Sequence, residues 1–208
     1  MKKYDTVIFD LGGVMVDWSP DYVYKTLFEN EEEMKTFLQE VCTPDWNEEQ
    51  DGGRTIQEAT DTLIAQFPHH EANIRVFYDR WEDMLKGPIE GSVDILRELK
   101  EANNVKLYAL TNWSAELFPI ALNRYEFLHW FEGRLVSGEE KMRKPFKEIY
   151  ELLLKRYNID PHRAVYIDDN LRNLAAPKEL GLHTIHFSSP EQLRKELEDL
   201  QILPAGNK

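Results

Sequence analysis

Cysteine is almost absent from this sequence of 208 residues, which contains only Cys42. A single thiol excludes an intramolecular disulfide, and so the sequence predicts a protein of a reducing compartment such as the cytoplasm. Cys42 lies in a helical apolar pattern, which is typical of a small buried side chain rather than of a nucleophile.

Positive charge is also scarce, because 25 lysine and arginine residues face 38 aspartate and glutamate residues and the net charge is -13. A surface this negative argues against nucleic acid or an anionic membrane as a partner. A site for an anionic small molecule must therefore build its own positive charge, and a metal ion is one way to do so.

Long apolar runs are missing, so no membrane-spanning segment is predicted. The N-terminus enters a strand too early to form the apolar region of a signal peptide. Hydrophobic residues still make up 42% of the chain and aromatic residues 12%, as in a globular protein with a real core. We expect one domain of ordinary size, or a core with a smaller insert, as a monomer or homodimer.

Apolar periodicity predicts five strands, at residues 6–9, 105–110, 134–137, 164–167 and 183–187. Residues 15–20 are interpreted as a turn and an irregular segment. Residues 21–86 are predicted to be helix and loop, with a break at 43–46 and a turn at 50–54. Further helices are predicted at 92–102, 114–123 and 171–180. Two more are predicted, one with Pro145 in its first turn and one that begins after Ser189. Strands that alternate with helices predict an α/β protein with a parallel sheet.

Acidic and small polar residues follow three of the predicted strands. Asp10 ends the first strand, Thr111 and Asn112 end the second, and Asp168 and Asp169 end the fourth. Because parallel strands bring their carboxyl ends to one edge of a sheet, these residues should meet there. Three carboxylates in one cleft repel one another unless a cation lies between them, and oxygen ligands favour Mg²⁺.

Lys144 lies in a basic segment that enters a helix, from which it can reach the same edge. Taken singly, Lys144 is also explained as a solvated charge, and Asp168 with Asp169 as helix capping. Their joint occurrence at strand ends, in this order, favours a functional site.

Four short motifs occur in order: DLGGV at 10–14, LTN at 110–112, KP at 144–145 and IDDN at 167–170. With these motifs the chain resembles the haloacid dehalogenase superfamily over nearly its whole length. The resemblance implies a Rossmann-like parallel sheet core at 1–15 and 88–208, with an inserted small α-helical cap at 16–87, as in subfamily I.

The resemblance also implies the roles of the site residues. Asp10 is the expected nucleophile, which forms an aspartyl-phosphate. Thr111 and Asn112 are expected to hold the phosphoryl oxygens, and Lys144 to stabilise negative charge. For Mg²⁺ the expected ligands are Asp10, Asp168, Asp169 and the backbone carbonyl of Gly12. The expected reaction is Mg²⁺-dependent hydrolysis of a small phosphorylated metabolite, such as a sugar phosphate.

Gly12 departs from the family's phosphatases, which usually carry a second aspartate there as the general acid and base. Such catalysis is typically worth ~10²–10⁴-fold, so its loss matters. Asp17, Glu49 and Asp51 are hypothetical substitutes.

Two other functions stay open. In a metal-independent 2-haloacid dehalogenase the same aspartate would attack carbon and displace halide. Such enzymes typically carry an aromatic residue where Gly12 stands, and they need no metal, so the acid pair Asp168 and Asp169 weighs against this function. A binding or regulatory protein that has lost turnover would also explain Gly12.

Substrate choice is expected to lie in the cap, with Trp18, Trp46 and residues 51–54 as candidates. Trp113, beside Asn112, is a candidate for the pocket floor. Tryptophans at helix ends are more often core anchors, however, and Trp113 can instead pack under the helix.

Overall fold

The fold is built on strands that lie mostly in one sheet. A computed structural model of the chain describes residues 3–205. The strands of this range, in chain order, are β1 (Thr6–Phe9), β2 (Val16–Trp18), β3 (Leu85–Pro88), β4 (Lys106–Thr111), β5 (Gly133–Val136), β6 (Ala164–Asp168) and β7 (His183–His186). Five of them form a parallel sheet in the order β5–β4–β1–β6–β7, which confirms the predicted α/β class.

The helices cover both faces of this sheet. They are α1 (Asp21–Tyr24), α2 (Glu31–Glu40), α3 (Pro44–Asp51), α4 (Ile56–Gln66), α5 (Glu71–Asp79), α6 (Glu90–Ala102), α7 (Phe118–Arg124), α8 (Ser137–Glu140), α9 (Lys147–Tyr157), α10 (Ala175–Glu179) and α11 (Pro190–Asp199). Short 3₁₀ segments lie at Pro68–His70, Trp81–Met84, Glu126–Trp130, Pro161–Arg163 and Leu171–Asn173.

β1 is buried on both faces, as expected for a central strand of a parallel sheet. Its side chains alternate, so Val7 and Phe9 join one apolar cluster and Ile8 joins another. Helices α6 and α11 contribute to the first cluster, whereas α9 contributes to the second. The sheet is thus held between two helical layers, and only the ends of its strands are free to build a site.

A helical insert, which we define as residues 19–84, contains α1 to α5 and lies between β2 and β3. Its aromatic residues Tyr24, Phe37 and Phe77 are buried and pack on one another, with ring centroids 5.2 and 6.2 Å from that of Tyr24. The insert shares the first apolar cluster with the sheet, so burial of apolar surface joins the two.

Capping residues in the sequence predicted the starts of several helices correctly. Asn30, Thr55 and Ser189 each cap a helix by accepting a hydrogen bond from a backbone N–H two or three residues on.

The connection between sheet and insert differs from the sequence-based prediction. Residues 16–18 are not irregular but form β2, which pairs antiparallel with β3. The prediction was wrong because the two strands are short and their partners are about seventy residues apart, so neither carries a local signal.

Helix α3 is a second difference, since residues 43–46 were predicted to be a break and residues 50–54 a turn. Pro44 instead occupies the first turn of α3, where its missing N–H costs nothing, and Thr43 caps the helix. Two smaller predictions also shift: Pro145 precedes α9, which begins at Lys147, and residues 171–180 divide into a 3₁₀ turn and α10.

None of the helices within residues 3–205 combines the length and the apolar character that crossing a bilayer requires.

Candidate functional site

The register of the three central strands brings the predicted strand-end residues to one level. Phe9 lies opposite Ala109 on β4 and Ile167 on β6. Asp10, directly after β1, donates its backbone N–H to the carbonyl of Ile167 at 2.9 Å. Asp10 therefore lies beside Asp168, at the carboxyl edge of the sheet.

Three carboxylates meet at this edge, and we call Asp10, Asp168 and Asp169 the acid cluster. Each offers an oxygen, and these oxygens all lie within 4.8 Å of one another. Asp10 and Asp168 are buried, whereas Asp169 is exposed to the cleft. Like charges this close in a region of low dielectric are strongly unfavourable unless they are compensated.

Lys144 supplies part of that compensation. It is 1% exposed, and its Nζ lies 2.8 Å from Oδ1 of Asp10 and 2.7 Å from Oδ2 of Asp168. A lysine is almost never buried this completely without partners, and here two carboxylates hold its charge. The three ionised carboxylates still leave two negative charges in excess.

The pKa values of the two buried carboxylates, Asp10 and Asp168, are shifted in opposite directions. Desolvation raises the pKa of Asp10 well above its ordinary value, in spite of Lys144, and Asp168 adds to the increase. Desolvation also acts on Asp168, but Lys144 and hydrogen bonds from Tyr166 and Asn170 outweigh it, and its pKa is lowered. Asp168 is therefore the permanent counterion of Lys144, whereas ionised Asp10 needs further positive charge.

Asp168 is surrounded by donors that the sequence did not reveal. The hydroxyl of Tyr166 donates to its Oδ2 at 2.6 Å, and Nδ2 of Asn173 donates to its Oδ1 at 3.0 Å. Tyr166 lies two residues before Asp168 on β6, and so strand periodicity alone places both side chains on one face. Asn173 carries no comparable signal, because it reaches back from a 3₁₀ turn.

The glycine pair after Asp10 shapes the opposite wall of the cluster. Gly13 has a φ of +75°, and a Cβ there would lie 2.2 Å from Oδ2 of Asp169. At Gly12 a Cβ would meet nothing within 4 Å. Gly13 is thus required for the close approach of Asp169, whereas Gly12 faces open space.

We expect Gly13→Ala to displace the Asp169 carboxylate and to lower stability by about 1–3 kcal/mol, because a side chain must adopt a positive φ. Gly12→Ala is the matched control and should change the melting temperature little. Thermal denaturation of both variants checks this, and equal losses would contradict the assigned packing.

Asn112 contacts the chain on both sides of its amide. Its Nδ2 donates to the carbonyl of Lys144 at 3.0 Å, and its Oδ1 accepts from the N–H of Lys144 at 2.8 Å. This double hydrogen bond fixes the backbone that carries the ammonium group. Thr111, predicted beside it, is buried at the end of β4, and its hydroxyl makes a long 3.5 Å contact with the carbonyl of Asn112.

A cavity of about 580 Å³ opens over the acid cluster, between the sheet edge and the helical insert. Asp10, Gly12, Asn112, Lys144 and Asp169 line it from the sheet side. From the other side it is lined by residues of β2 and the insert, among them Trp18, Leu38, Asn47, Asp51 and Phe77.

Of the three tryptophans proposed for substrate contact, Trp18 and Trp113 reach a cavity. Trp113 is 6% exposed and packs edge-on against Trp81, so it is a core anchor and a pocket wall at once. Trp46 packs against Phe77 and Tyr78 and donates its indole N–H to the carbonyl of Ala59, as expected of a core anchor.

Comparison with known proteins agrees with this fold. The family model of haloacid dehalogenase-like hydrolases matches residues 4–181. The chain therefore belongs to this hydrolase family.

Three similar proteins illustrate the range of the family. The sesquiterpene phosphatase astK of Aspergillus oryzae is 25% identical over 197 residues, 95% of this chain and 96% of its own. A phosphorylated carbohydrates phosphatase of Thermotoga maritima is 26% identical over 192 residues, 88% of this chain and 84% of its own. A HAD family enzyme of Bacteroides thetaiotaomicron, solved as a magnesium complex, has a TM-score of 0.70 and 22% identity, covering 90% of this chain and 95% of its own.

Proposed function

We propose that this hydrolase is a Mg²⁺-dependent phosphatase that transfers the phosphoryl group of a small phosphate monoester to Asp10. The observation that carries the proposal is the acid cluster with a single buried lysine. Its two excess negative charges match one divalent cation, and its ligand atoms are all hard oxygens.

The residues present fit Mg²⁺. Asp169 is the exposed member of the cluster, and so we assign it as a direct ligand together with Asp10 and the carbonyl of Gly12. The oxygens of Asp168 are already occupied by Lys144, Tyr166, Asn170 and Asn173, so Asp168 acts on the site mainly through Lys144. When bound, Mg²⁺ would supply the positive charge that keeps Asp10 ionised and neutralises phosphoryl oxygens.

Asp10 is prepared for attack by the way it is held. Leu11 donates its N–H to Oδ1 at 2.7 Å, and Lys144 contacts the same oxygen. Both contacts that the described residues make to this carboxylate fall on Oδ1, which leaves Oδ2 to attack phosphorus. Lys144, fixed by Asn112, then stabilises the charge on the aspartyl-phosphate, and water releases phosphate in a second step.

The helical insert, together with the chain on either side of it that pairs as β2 and β3, would act as a cap at residues 16–87 over a core at 1–15 and 88–208. This division is supported by the two-stranded β2–β3 connection at its base. A closed cap would exclude bulk water from the first step. The buried Cys42 supports a reducing, cytoplasmic setting.

The substrate class we favour is a sugar phosphate or a similar small metabolite, as in the name of the Thermotoga maritima relative. A second candidate is the phosphate of an apolar alcohol. It is favoured by Trp18, Leu38 and Phe77 in the cavity wall and by the sesquiterpene phosphatase relative.

The competing functions make different demands on the acid cluster. A 2-haloacid dehalogenase would also use Asp10 but has no use for a divalent cation. A binding protein without turnover has no need of a nucleophile held by Lys144.

A phosphate-release screen with and without Mg²⁺ separates these functions. Sugar phosphates, nucleotides, small phosphoesters and prenyl phosphates are tested beside 2-chloropropionate, for which halide is measured. We expect phosphate release that depends on Mg²⁺. Halide release without metal would establish the dehalogenase, and no turnover of any compound would leave the binding protein.

Metal binding has its own expected result. Mg²⁺ at 100 times its dissociation constant should add about 2.7 kcal/mol of stability, or about 5–10 °C in melting temperature for a domain of this size. Asp169→Asn should abolish most of this shift, whereas Asp199→Asn, an exposed carboxylate at the end of α11, should keep it. Scanning calorimetry with and without Mg²⁺ measures both, and a full shift in Asp169→Asn would refute the assigned ligand.

A further inference from the structure

We propose that Asp51, the last residue of α3, is the general acid and base of the reaction, which protonates the departing alcohol and then activates water. The inference rests on the proposed phosphatase function and deepens it. In the first step Asp10 bonds to phosphorus, the bond from phosphorus to the alcohol oxygen breaks, and the proton of Asp51 passes to that oxygen. In the second, water bonds to phosphorus, one of its protons returns to Asp51, and the bond from phosphorus to Asp10 breaks.

The chemistry requires such a group. An alkyl alcohol leaves as a strongly basic alkoxide unless a proton reaches it during bond cleavage. Lys144 is committed to two carboxylates and Gly12 has no side chain, so the proton must come from elsewhere in the cavity.

Of the carboxylates that line the cavity, one is suited to donate this proton. Those that line it are Asp10, Asp21, Glu48, Asp51 and Asp169. Asp10 and Asp169 belong to the acid cluster, and Glu48 is ion-paired with Arg172. Asp21 begins α1 and is exposed to solvent. Asp51 alone combines partial burial with a place beside the acid cluster.

Asp51 also borders the space that Gly12 leaves open. A second cavity, of about 240 Å³, is lined by Gly12, Asp51, Asn112 and Asp169 together. A Cβ at Gly12 would meet nothing within 4 Å, so the volume beside it is free for a group from another element. The helical insert thus brings a carboxylate to the place where the sheet edge offers none.

Helix α3 is fixed on the core by ion pairs on two sides. Glu49 lies 3.0 Å from Arg143, and Glu48 contacts Arg172. Just beyond α3, the carboxylate of Glu116 accepts the backbone N–H of Ile56 at 2.9 Å. These contacts hold Asp51 over the site without using its carboxylate.

The proton affinity of Asp51 suits the role. Its pKa is raised to about 7, chiefly by desolvation and also by the charge of Glu48, although Lys144, Arg143 and a hydrogen bond from the Ser114 backbone lower it. Tyr78 on α5 also faces Asp51, and burial together with the charge of Asp51 raises the pKa of its hydroxyl. A carboxylic acid with this pKa can both give and accept a proton near neutral pH.

The other two substitutes considered from the sequence are occupied. Asp17 accepts the hydroxyl of Tyr22 at 2.9 and 3.0 Å and lies 3.7 Å from Lys86. Glu49 is exposed and paired with Arg143. Neither is among the described residues that line the two cavities.

The test compares Asp51→Asn with the wild type on two esters, an alkyl phosphate and p-nitrophenyl phosphate. For the alkyl ester we expect kcat/KM to fall by about 10²–10⁴-fold. For p-nitrophenyl phosphate, whose leaving group needs no proton, kcat/KM should fall less than about 10-fold. Because water is no longer activated, a burst of p-nitrophenol equal to the enzyme concentration should precede slow turnover.

Two further variants separate chemistry from folding. Asp45→Asn, an exposed aspartate on the same helix, should leave both esters unaffected. Gly12→Asp in the Asp51→Asn background should restore alkyl phosphate turnover at least about 10-fold, since it returns a carboxylate to the shared cavity. The Mg²⁺-induced rise in melting temperature should persist in Asp51→Asn.

The pH profile gives an independent readout. In the wild type, kcat/KM for the alkyl ester should fall as pH rises above about 7, where Asp51 loses its proton. That limb should vanish in Asp51→Asn.

Equal losses on both esters, or unchanged turnover of the alkyl ester, would overturn the role of Asp51 while leaving the phosphatase intact. A wild-type protein that releases phosphate from no ester of the substrate screen in the presence of Mg²⁺ would overturn the proposed function itself.

Discussion

Asp10→Asn is expected to reduce Mg²⁺-dependent phosphate release by at least about 10⁴-fold, because the amide cannot form the covalent intermediate. The loss should appear in kcat and kcat/KM together. Burial raises the pKa of Asp10, so the charged form is unfavourable in the fold and its removal should not unfold the protein. We therefore expect the melting temperature without metal to stay the same or to rise.

Asp17→Asn is the matched control for this experiment. Asp17 is held by Tyr22, outside the cavity, and an asparagine can still accept that hydrogen bond. Its kinetics should equal those of the wild type. Residual activity in Asp10→Asn within about 10-fold of the wild type would mean that water attacks phosphorus directly.

Lys144→Met is expected to have the largest effect on stability. Removal of the ammonium group leaves Asp10 and Asp168 buried without their counterion, which typically costs about 3–5 kcal/mol. Phosphatase activity should fall by about 10³-fold or more, since a charge that stabilises the transferred group is lost. Denaturant unfolding and steady-state kinetics measure the two effects.

The pH dependence distinguishes charge from packing in this variant. Lys144 lowers the pKa of Asp168, and so the pair adds stability above the ordinary pKa of an aspartate and loses it as pH falls. Without the lysine the buried carboxylates take up protons more readily, and the destabilisation should shrink as pH is lowered. Lys178→Met, on the exposed side of α10, should change stability by less than about 0.5 kcal/mol. A deficit that is constant with pH would point to lost packing instead.

The sheet could be predicted because its signals are local. The apolar run of β1 ends in Asp10, that of β6 ends in Asp168, and parallel pairing then determines that these ends are neighbours. The burial of Lys144, by contrast, could not be predicted, since residues 141–145 carry no periodic pattern and their basic character also fits a solvated charge.

What could not be predicted depends on contacts between distant segments. The strands β2 and β3 pair with each other although the whole helical insert separates them in the sequence, and neither is longer than four residues. Phosphoryl binding by Asn112 stays a prediction, whereas the contact of its amide with the backbone of Lys144 is one that no spacing reveals. The position of Asp51 likewise depends on α3, a helix that was not predicted because Pro44 was interpreted as part of a break.

Rapid acid quenching during turnover, followed by mass spectrometry of the peptide that contains Asp10, addresses the central claim most directly. With Mg²⁺ and substrate, a phosphoryl group should be found on Asp10, and it should be absent without the metal. Phosphate release with no phosphoryl group on Asp10, or with one on another residue, would contradict the mechanism.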